Sequence, residues 1–312
     1  MLSVVVPAYN EAGAVLPAAR GIGGVLRGEG IPYELIFVDD GSSDGTWEEI
    51  ARAAEEDPAV RGVSFSRNFG KEAAIFAGME ASAGDCCAVM DCDLQHPPEK
   101  LPEMYALWRQ GWEIIHGVKT DRGRESGLHG FAAGSFYKIM SRAVGLDMSR
   151  ASDFKLMDRR VVETLLALSE RRTFFRALAA WVGFRSTEVE FRVAERSVGG
   201  SHWPVASLFR YAVSNIASYS SAPMQAVTVL GVLTLLLSLV LGVQTLVNWA
   251  RGGAADGFTT VIILLLLIGS VLMISLGIIG YYIAQIFIEV KARPRYLVAR
   301  SCGKKKGDGA DG

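Results

Sequence analysis

The amino-acid sequence predicts an α/β domain with a mostly parallel sheet, followed by an amphipathic juxtamembrane helix and two membrane-spanning helices. In the first 120 residues, short β-branched runs alternate with segments of helical periodicity, a pattern typical of parallel strands joined by crossover helices. Towards the other end of the chain there are two uncharged runs, each longer than the ~20 residues that cross a bilayer.

The strands of the α/β part are predicted from apolar runs that end in polar loops. The first run is closed by Pro7, and the fourth ends before Pro97 and Pro98, which cannot continue a central strand. Apolar residues at helical spacing separate the runs. We predict strands over residues 2–6, 34–38, 60–65, 88–91 and 112–118. Helices are predicted over residues 15–26 and 47–54, and a third helix follows the 66–72 segment and ends near residue 83.

Acidic residues follow these strands at the edge of the sheet where α/β proteins bind ligands. Asp91 and Asp93 are two residues apart, so in an extended chain their side chains point to the same face. Two carboxylates there suit Mg²⁺ or Mn²⁺, with phosphate and water oxygens as further ligands, although the pair alone also fits a solvated turn. We expect one cleft to gather Glu11, Asp39, Asp40, Lys71, Asp91 and Asp93.

Composition and missing motifs exclude several function classes. The net charge of −1 and the pI of about 6.5 give no overall attraction to nucleic acid. Neither a G-x-G-x-x-G fingerprint after the first strand nor a G-K-[ST] phosphate loop is present, which disfavours oxidoreductases and P-loop enzymes. The four cysteines lack zinc-type spacing and no signal peptide is visible, so we expect reduced thiols in a cytosolic domain.

Four segments carry a resemblance to a known family. Val-Val-Pro-Ala-Tyr-Asn-Glu (5–11), Val-Asp-Asp-Gly-Ser-Ser-Asp-Gly-Thr (38–46) and Asp-Cys-Asp-Leu-Gln-His-Pro-Pro-Glu (91–99) resemble successive motifs of family 2 glycosyltransferases, which have the GT-A fold. Arg-Asn-Phe-Gly-Lys-Glu-Ala-Ala (67–74) is similar to the polyprenyl-phosphate branch, which includes bactoprenol glucosyltransferases and dolichol-phosphate mannose synthases. The resemblance extends over residues 3–290 and implies a nucleotide-sugar donor.

The resemblance also implies which residues bind the donor. Asp91, Asp93 and Gln95 would hold the metal, and Lys71 would lie near the donor. The uracil and ribose would be surrounded by residues from the first two strand ends. The full set expected to bind the nucleotide sugar is Pro7, Tyr9, Glu11, Asp39, Asp40, Lys71 and Asp91.

Two further segments are expected to serve the acceptor. Ser-Asp-Phe-Lys-Leu-Met-Asp-Arg (152–159) resembles the family's Asp-Phe-Arg-Leu-Met segment, with Lys155 in place of arginine and Asp153 at the position of the catalytic carboxylate. Glu-Arg-Ser-Val-Gly-Gly-Ser-His (195–202) resembles Arg-x-x-Gly-x-Ser-Lys, with histidine in place of lysine. We expect the acceptor phosphate to contact Arg124, Arg196, Ser201 and His202, with Arg124 and Arg196 also catalytic.

The sequence leaves the roles of some of these residues open. Asp153 can orient the sugar and tune nearby cations, act as a general base, or form a structural ion pair. The first role is preferred, because a lipid monophosphate with a second pKa of ~6 is already largely ionised near neutral pH. Arg124 can instead be a solvated charge, and Arg196 a surface ion pair.

The rest of the chain is expected to interact with the membrane. Residues 201–222 show one apolar and one polar face, as an interfacial helix would. The uncharged runs 224–249 and 258–288 predict two spans, and basic residues crowd behind the second span. We therefore expect the inner membrane, with the catalytic domain and both termini cytoplasmic. The predicted domains are 1–200, 201–222, 223–290, and a basic, disordered tail over 291–312.

The favoured function is inverting transfer of a hexose, with glucose the first choice, from a UDP-sugar to polyprenyl (undecaprenyl) phosphate. A processive polysaccharide synthase resembles this sequence in its donor half but carries a Gln-x-x-Arg-Trp segment and more spans, which are absent here. A second alternative is a non-catalytic membrane scaffold that retains a transferase fold. The expected partners are the nucleotide sugar, the lipid phosphate and the bilayer. A homo-oligomer is compatible with the sequence.

Overall fold

The computed structural model describes residues 1–120, 152–170, 173–192, 222–251 and 258–303. The chain forms two compact units. One contains Met1–Val205 together with Pro294–Gly312, and the other contains Ala206–Arg293. The first unit is an α/β domain, and the second holds two long apolar helices.

Within the described residues, the first unit is built on an eight-stranded sheet with the order β7-β5-β6-β4-β1-β2-β3-β8. The strands are β1 (Leu2–Ala8), β2 (Tyr33–Asp39), β3 (Val60–Phe65), β4 (Cys86–Val89), β5 (Ile114–Lys119), β6 (Lys155–Asp158), β7 (Ser186–Phe191) and β8 (Val298–Cys302). The helices are α1 (Val15–Gly28), α2 (Thr46–Glu56), α3 (Lys71–Ala81), α4 (Leu101–Arg109), α5 (Arg159–Ala167) and α6 (Phe175–Trp181), with a 3₁₀ turn at Pro98–Lys100.

The centre of the sheet is parallel, as the sequence predicts. β1 pairs in parallel with β2 and with β4, and β2 pairs in parallel with β3. β6 and β8 run antiparallel to their neighbours. Every residue of β1 is buried, because helices cover both faces of a parallel sheet.

β1 extends through Pro7 to Ala8, beyond the predicted end of this strand. Met90 N–H donates to the carbonyl of Val5, so the backbone N–H and C=O positions of Val5 point towards β4. Pro7 is two residues further on, so its backbone nitrogen points the same way. Pairing with β4 ends at Val5↔Val89, so the missing N–H of Pro7 costs no ladder hydrogen bond. The strand therefore delivers Tyr9 directly to the edge of the sheet.

Helix α3 lies unusually close to β1. A Cβ atom placed on Gly78 would be 2.2 Å from Val5 Cγ1, so only glycine allows this approach. The helix buries Ala74 and Ala77 against the sheet. This packing fixes the direction of α3, whose first residue is Lys71.

The predicted disordered tail over 291–312 is wrong for residues 298–302. They form β8, which pairs antiparallel with β3 and places Cys302 opposite Gly62. Just before this strand, Tyr296 stacks on Phe65 with ring centroids 4.8 Å apart. The disorder prediction rested on the glycine- and lysine-rich residues at the end of the chain, whereas β8 itself carries one charged residue, Arg300, and lies just before them. The α/β domain is therefore discontinuous in sequence.

The second unit contains α7 (Ala222–Ala250) and α8 (Phe258–Val290), which pack against each other. Val227–Asn248 and Leu267–Val290 have mean hydropathies of 2.3 and 2.1 and are long and apolar enough to cross a membrane. These two helices agree with the predicted spans. The predicted amphipathic helix over 201–222 lies outside the described residues, apart from Ala222, which begins α7.

Candidate active site

The candidate site lies at the crevice between β1 and β4. β2 and β3 follow β1 on one side, whereas β4 lies on the other, so the strand order reverses here. α/β sheets bind ligands at such a switch point, outside the carboxyl ends of the strands. The loop after β1 carries Tyr9 and Glu11, and the turn after β4 carries Asp91 and Asp93.

Lys71 connects two carboxylates that are distant in sequence. Its Nζ lies 2.6 Å from Asp91 Oδ1 and 2.8 Å from Asp153 Oδ2. The side chain of Lys71 is 43% exposed, whereas that of Asp153 is 5% exposed. Burial opposes the charge on Lys71, but the carboxylates of Asp153 and Asp91 outweigh it and raise the pKa of the ammonium. Lys71 is therefore a permanent cation at the rim of the site.

Asp153 is also held by Arg176, which the sequence analysis missed. Arg176, the second residue of α6, donates from Nε to Asp153 Oδ1 at 2.6 Å and from Nη2 to Oδ2 at 2.8 Å. Burial alone would raise the pKa of Asp153, but the hydrogen bonds and charge of Arg176, aided by Lys71, hold it well below its usual value. The available signal was a lone arginine among apolar residues of a short helix.

The low pKa of Asp153 limits its chemistry. A carboxylate that is ionised far below neutral pH is a weak proton acceptor, and general bases work best with a pKa near the working pH. The geometry therefore favours Asp153 as a fixed negative charge and hydrogen-bond acceptor over Asp153 as a general base.

Asp91 and Asp93 lie in a turn, so the extended-strand argument for their convergence does not hold. β4 ends at Val89, and Asp93 Oδ1 accepts a hydrogen bond from the Gln95 N–H at 3.1 Å. Leu94 has a positive φ of 56°, a left-handed backbone conformation that ends any extended geometry immediately after the pair. The local turn, and not strand pleating, sets the direction of the two carboxylates.

His96 holds the backbone of this turn. Its Nδ1 accepts a hydrogen bond from the Asp91 N–H at 3.0 Å, so a neutral ring carries its proton on Nε2. The ring is 4% exposed and stacks on Phe154 with centroids 5.0 Å apart. Burial lowers the pKa of His96 and keeps it neutral.

The residues after β4 fit a hard divalent cation. Asp91 Oδ1 is buried and has the Lys71 ammonium nearby, but it receives no hydrogen bond of ordinary geometry. Carboxylate and amide oxygens from Asp91, Asp93 and Gln95 are the donor types that Mg²⁺ and Mn²⁺ prefer. In the part of the chain that the structure describes, no three His, Cys, Asp or Glu side chains form a complete metal site, so phosphate and water would be needed as further ligands.

Glu11 belongs to the same region. After burial, the largest influences that raise the pKa of the Cys92 thiol are the negative charges of Glu11, Asp93 and Asp91. The negative charges of all three carboxylates therefore act on one buried thiol. The backbone of Glu11 is fixed by the Thr46 hydroxyl, which accepts from its N–H at 2.8 Å.

The other residues predicted to bind the nucleotide differ in exposure. Tyr9 is 48% exposed and offers an open ring at the sheet edge, whereas Pro7 is buried in β1. Asp39 is 1% exposed and accepts hydrogen bonds within the protein, from Ser42 N–H at 2.9 Å among others. Asp40 accepts from two backbone N–H groups just before Lys71, at 2.7 and 2.9 Å. Both aspartates thus order the loops, and their contact with a nucleotide remains a prediction.

The structure does not describe the four residues predicted to contact the acceptor phosphate. Arg124, Arg196, Ser201 and His202 lie outside the described residues. Lys155 is 1% exposed, and its Nζ donates to the Ser152 carbonyl at 2.6 Å. Burial lowers the pKa of Lys155 to about 8.

Comparison with known proteins gives the family and the fold. The profile of glycosyl transferase family 2 matches residues 3–166. A bactoprenol glucosyl transferase of Shigella phage SfII is 33% identical over 302 residues, which cover 96% of this chain and 98% of that protein. An uncharacterized glycosyltransferase of Synechocystis is 36% identical over 300 residues, covering 96% and 94%.

Among solved structures, glucosyl-3-phosphoglycerate synthase from Mycobacterium tuberculosis, crystallised with Mn²⁺, UDP and phosphoglyceric acid, shares the fold. The TM-score is 0.53 at 19% sequence identity, over 70% of this chain and 76% of that one. The α/β domain therefore has the GT-A-like fold that the motifs predict.

Proposed function

The chain belongs to glycosyl transferase family 2, and from this premise we propose that it transfers glucose from a UDP-sugar to a polyprenyl phosphate, inverting the anomeric centre. The observation that carries the proposal is the near-complete match to relatives named bactoprenol glucosyl transferase, at 33% identity over 302 residues. The two apolar helices support it, because a polyprenyl acceptor lies in a bilayer.

The donor would lie in the β1–β4 crevice. Tyr9 offers its ring to the uracil, and Asp91, Asp93 and Gln95 would hold Mg²⁺ or Mn²⁺. The cation, when bound, neutralises the negative charge that develops on the departing diphosphate. Lys71, a permanent cation beside Asp91, supports the same charge.

The acceptor phosphate would attack the anomeric carbon from the side of Asp153. Because the phosphate is largely ionised near neutral pH, with a second pKa of ~6, it needs little help from a base. Asp153, held ionised by Arg176 and Lys71, would orient the sugar and stabilise positive charge in the transition state. Arg124, Arg196, Ser201 and His202 are proposed to bind the acceptor phosphate, with Arg124 and Arg196 also catalytic.

We place the α/β domain and both termini on the cytoplasmic side of the inner membrane, where nucleotide sugars are made. Arg251 is the lone basic residue between the two apolar runs, whereas seven lysines and arginines follow the second run. Basic residues favour the cytoplasmic side. The proposal allows for a homo-oligomer.

A donor and acceptor panel tests the function. Purified protein with Mg²⁺ would be incubated with undecaprenyl phosphate and radiolabelled UDP- or GDP-sugars. We expect a lipid-soluble labelled product from UDP-glucose alone. A labelled polymer would favour the polysaccharide synthase, product from another sugar would replace glucose, and no product from any donor would favour the scaffold.

A further inference from the structure

Arg176 is not among the predicted site residues, yet it forms a close ion pair with Asp153. Arg176 approaches the carboxylate through two parallel N–H···O bonds of 2.6 and 2.8 Å. Lys71 adds a third bond of 2.8 Å to Oδ2. A carboxylate has about four lone-pair positions, so one position on Oδ1 remains unused by the described residues.

We propose that Arg176 is a positioning residue that fixes Asp153 so that its remaining lone pair accepts one hydroxyl hydrogen bond from the bound sugar. The inference rests on the proposed function for the identity of that sugar. A fork of two N–H donors fixes the plane of the carboxylate, which a single ammonium cannot do. The plane in turn fixes the direction in which Oδ1 accepts.

The start of α6, which carries Arg176, is held by Glu72, the residue next to Lys71. Glu72, the second residue of α3, accepts a hydrogen bond from the Phe175 N–H at 2.7 Å. Two consecutive residues of α3 therefore hold the Asp153–Arg176 pair from both sides. Lys71 binds Asp153, and Glu72 binds the backbone of the residue before Arg176. Phe175 is fully buried, which anchors the start of α6.

This arrangement separates the orientation of Asp153 from donor binding. Apart from Lys71 at the start of α3, the predicted nucleotide and metal contacts come from the ends of β1, β2 and β4, whereas Arg176 comes from α6. Loss of Arg176 should therefore slow the chemical step and leave the affinity for nucleotide nearly unchanged.

The test compares Arg176→Met and Arg176→Lys with a matched control, Arg20→Met. Arg20 binds Glu56 through a similar fork, but its side chain is 67% exposed and the pair joins α1 to α2. We expect Arg176→Met to lower kcat for sugar transfer about 100-fold, the scale of a small misplacement at the reacting centre, with KM for the donor within about threefold. Arg176→Lys should recover stability but not rate, and Arg20→Met should match wild type.

A double-mutant cycle provides a readout that does not require transfer activity. If Arg176 acts through Asp153, Arg176→Met should lower the melting temperature clearly in the wild-type background and much less in Asp153→Asn. For an active protein, the effect on kcat should shrink in the same way.

The outcomes separate this inference from the proposed function. A wild-type protein that transfers no sugar refutes the proposed function, and the thermal cycle still decides whether the two residues are coupled. Additive melting shifts, a kcat for Arg176→Met close to wild type, or a parallel loss of nucleotide affinity and rate would each overturn the positioning role.

Discussion

At the scale of single residues, the site is a balanced set of two cations and two carboxylates. Lys71 bridges Asp91 and Asp153, and Arg176 pairs with Asp153 from the other side. Buried charges are tolerated only when they are paired, and removal of one member leaves its partner without compensation. Each member therefore supports the ionised state of the next, and this explains why the pKa values of Asp91 and Asp153 are both lowered despite burial.

The metal assignment can be tested with Asp93→Asn. Asparagine keeps the side-chain oxygen that accepts from the Gln95 N–H at 3.1 Å, so the turn and the fold should survive. The lost negative charge should reduce turnover about 100-fold or more, the scale on which one electrostatic stabiliser acts. The measurement is the transfer rate over a titration with Mn²⁺. Glu103→Gln on α4 removes the same charge from an exposed position and should behave as wild type. A wild-type rate with unchanged metal dependence in Asp93→Asn would refute the assignment.

Glu72 predicts a pH dependence of stability. Burial, with a smaller contribution from Asp153, raises its pKa from 4.5 to about 7. Between these values the folded protein holds a proton that the unfolded chain has lost, so wild-type stability falls as pH rises through this window. At about 1.4 kcal/mol per pKa unit, the upper bound of this contribution is ~3 kcal/mol.

Glu72→Gln removes this titration and keeps an oxygen for the Phe175 N–H. We expect its melting temperature to match wild type at pH 4, below the unfolded pKa of Glu72, and to exceed it increasingly towards pH 8. Glu163→Gln, at an exposed position of α5, should follow the wild-type curve throughout. Parallel curves for Glu72→Gln and wild type would contradict a raised pKa.

Motif reasoning predicted Lys71, Asp91 and Asp153 as site residues, because each lies in a segment with a recognisable pattern, and the structure brings the three side chains together. Their roles stay predictions. Motif reasoning could not identify Arg176 or the role of Glu72, since both depend on contacts between α3 and α6, which are 103 residues apart at the Glu72–Phe175 bond. Such contacts follow from tertiary packing and leave no local spacing in the sequence.

At the scale of elements, β8 is the part of the fold that changes the interpretation most. Strand β3 would be the edge of the sheet without it, and β8 covers the open N–H and C=O groups of that edge. Tyr296 leads into the strand, stacks on Phe65 and hydrogen-bonds to Glu80. β8 should therefore stabilise the whole domain.

Tyr296→Ala tests this contribution. Loss of the partly buried ring should destabilise the domain by about 2 kcal/mol, less than a fully buried aromatic, because the stacking on Phe65 disappears. Tyr296→Phe keeps the ring and loses only the hydrogen bond to Glu80, so its effect should be smaller. Thermal or urea unfolding measures both, with Leu297→Ala, at a 54% exposed position, as control. Equal stability of Tyr296→Ala and Leu297→Ala would show that the segment is not docked.

The parallel core of the sheet followed from alternating apolar runs and helical patterns, which are strong local signals. The end of β1 was missed because the effect of Pro7 depends on where β4 stops. β8 was missed because it is a short segment next to a glycine- and lysine-rich stretch and is ordered by pairing with β3, far away in the chain. Local patterns predict helices and strands that bury an apolar face of their own. An edge strand such as β8 instead forms through hydrogen bonds to the neighbouring strand, which local patterns do not show.

At the scale of the whole molecule, the connectivity constrains membrane topology. The chain leaves the α/β domain before α7 and returns to it after α8, because β8 belongs to the same sheet as β1. A sheet cannot extend through a bilayer, so the strands before α7 and β8 after α8, which form one sheet, must share one side of any membrane. If α7 and α8 cross the membrane, they must do so as a hairpin.

This argument is independent of the distribution of basic residues and gives a sharp prediction. Reporter proteins fused at either terminus should report the same, cytoplasmic side, and a reporter inserted in 252–257, between α7 and α8, should report the opposite side. Paired fusions to alkaline phosphatase and to green fluorescent protein measure this, since each is active on only one side. Opposite locations of the two termini would be incompatible with the pairing of β8 and β3, whereas a shared periplasmic location would leave the pairing intact and overturn the orientation. The two reporters therefore test the sheet and the orientation separately. The pairing of β8 with β3 requires only that both termini lie on the same side of the membrane, whereas the basic residues predict that this side is the cytoplasm.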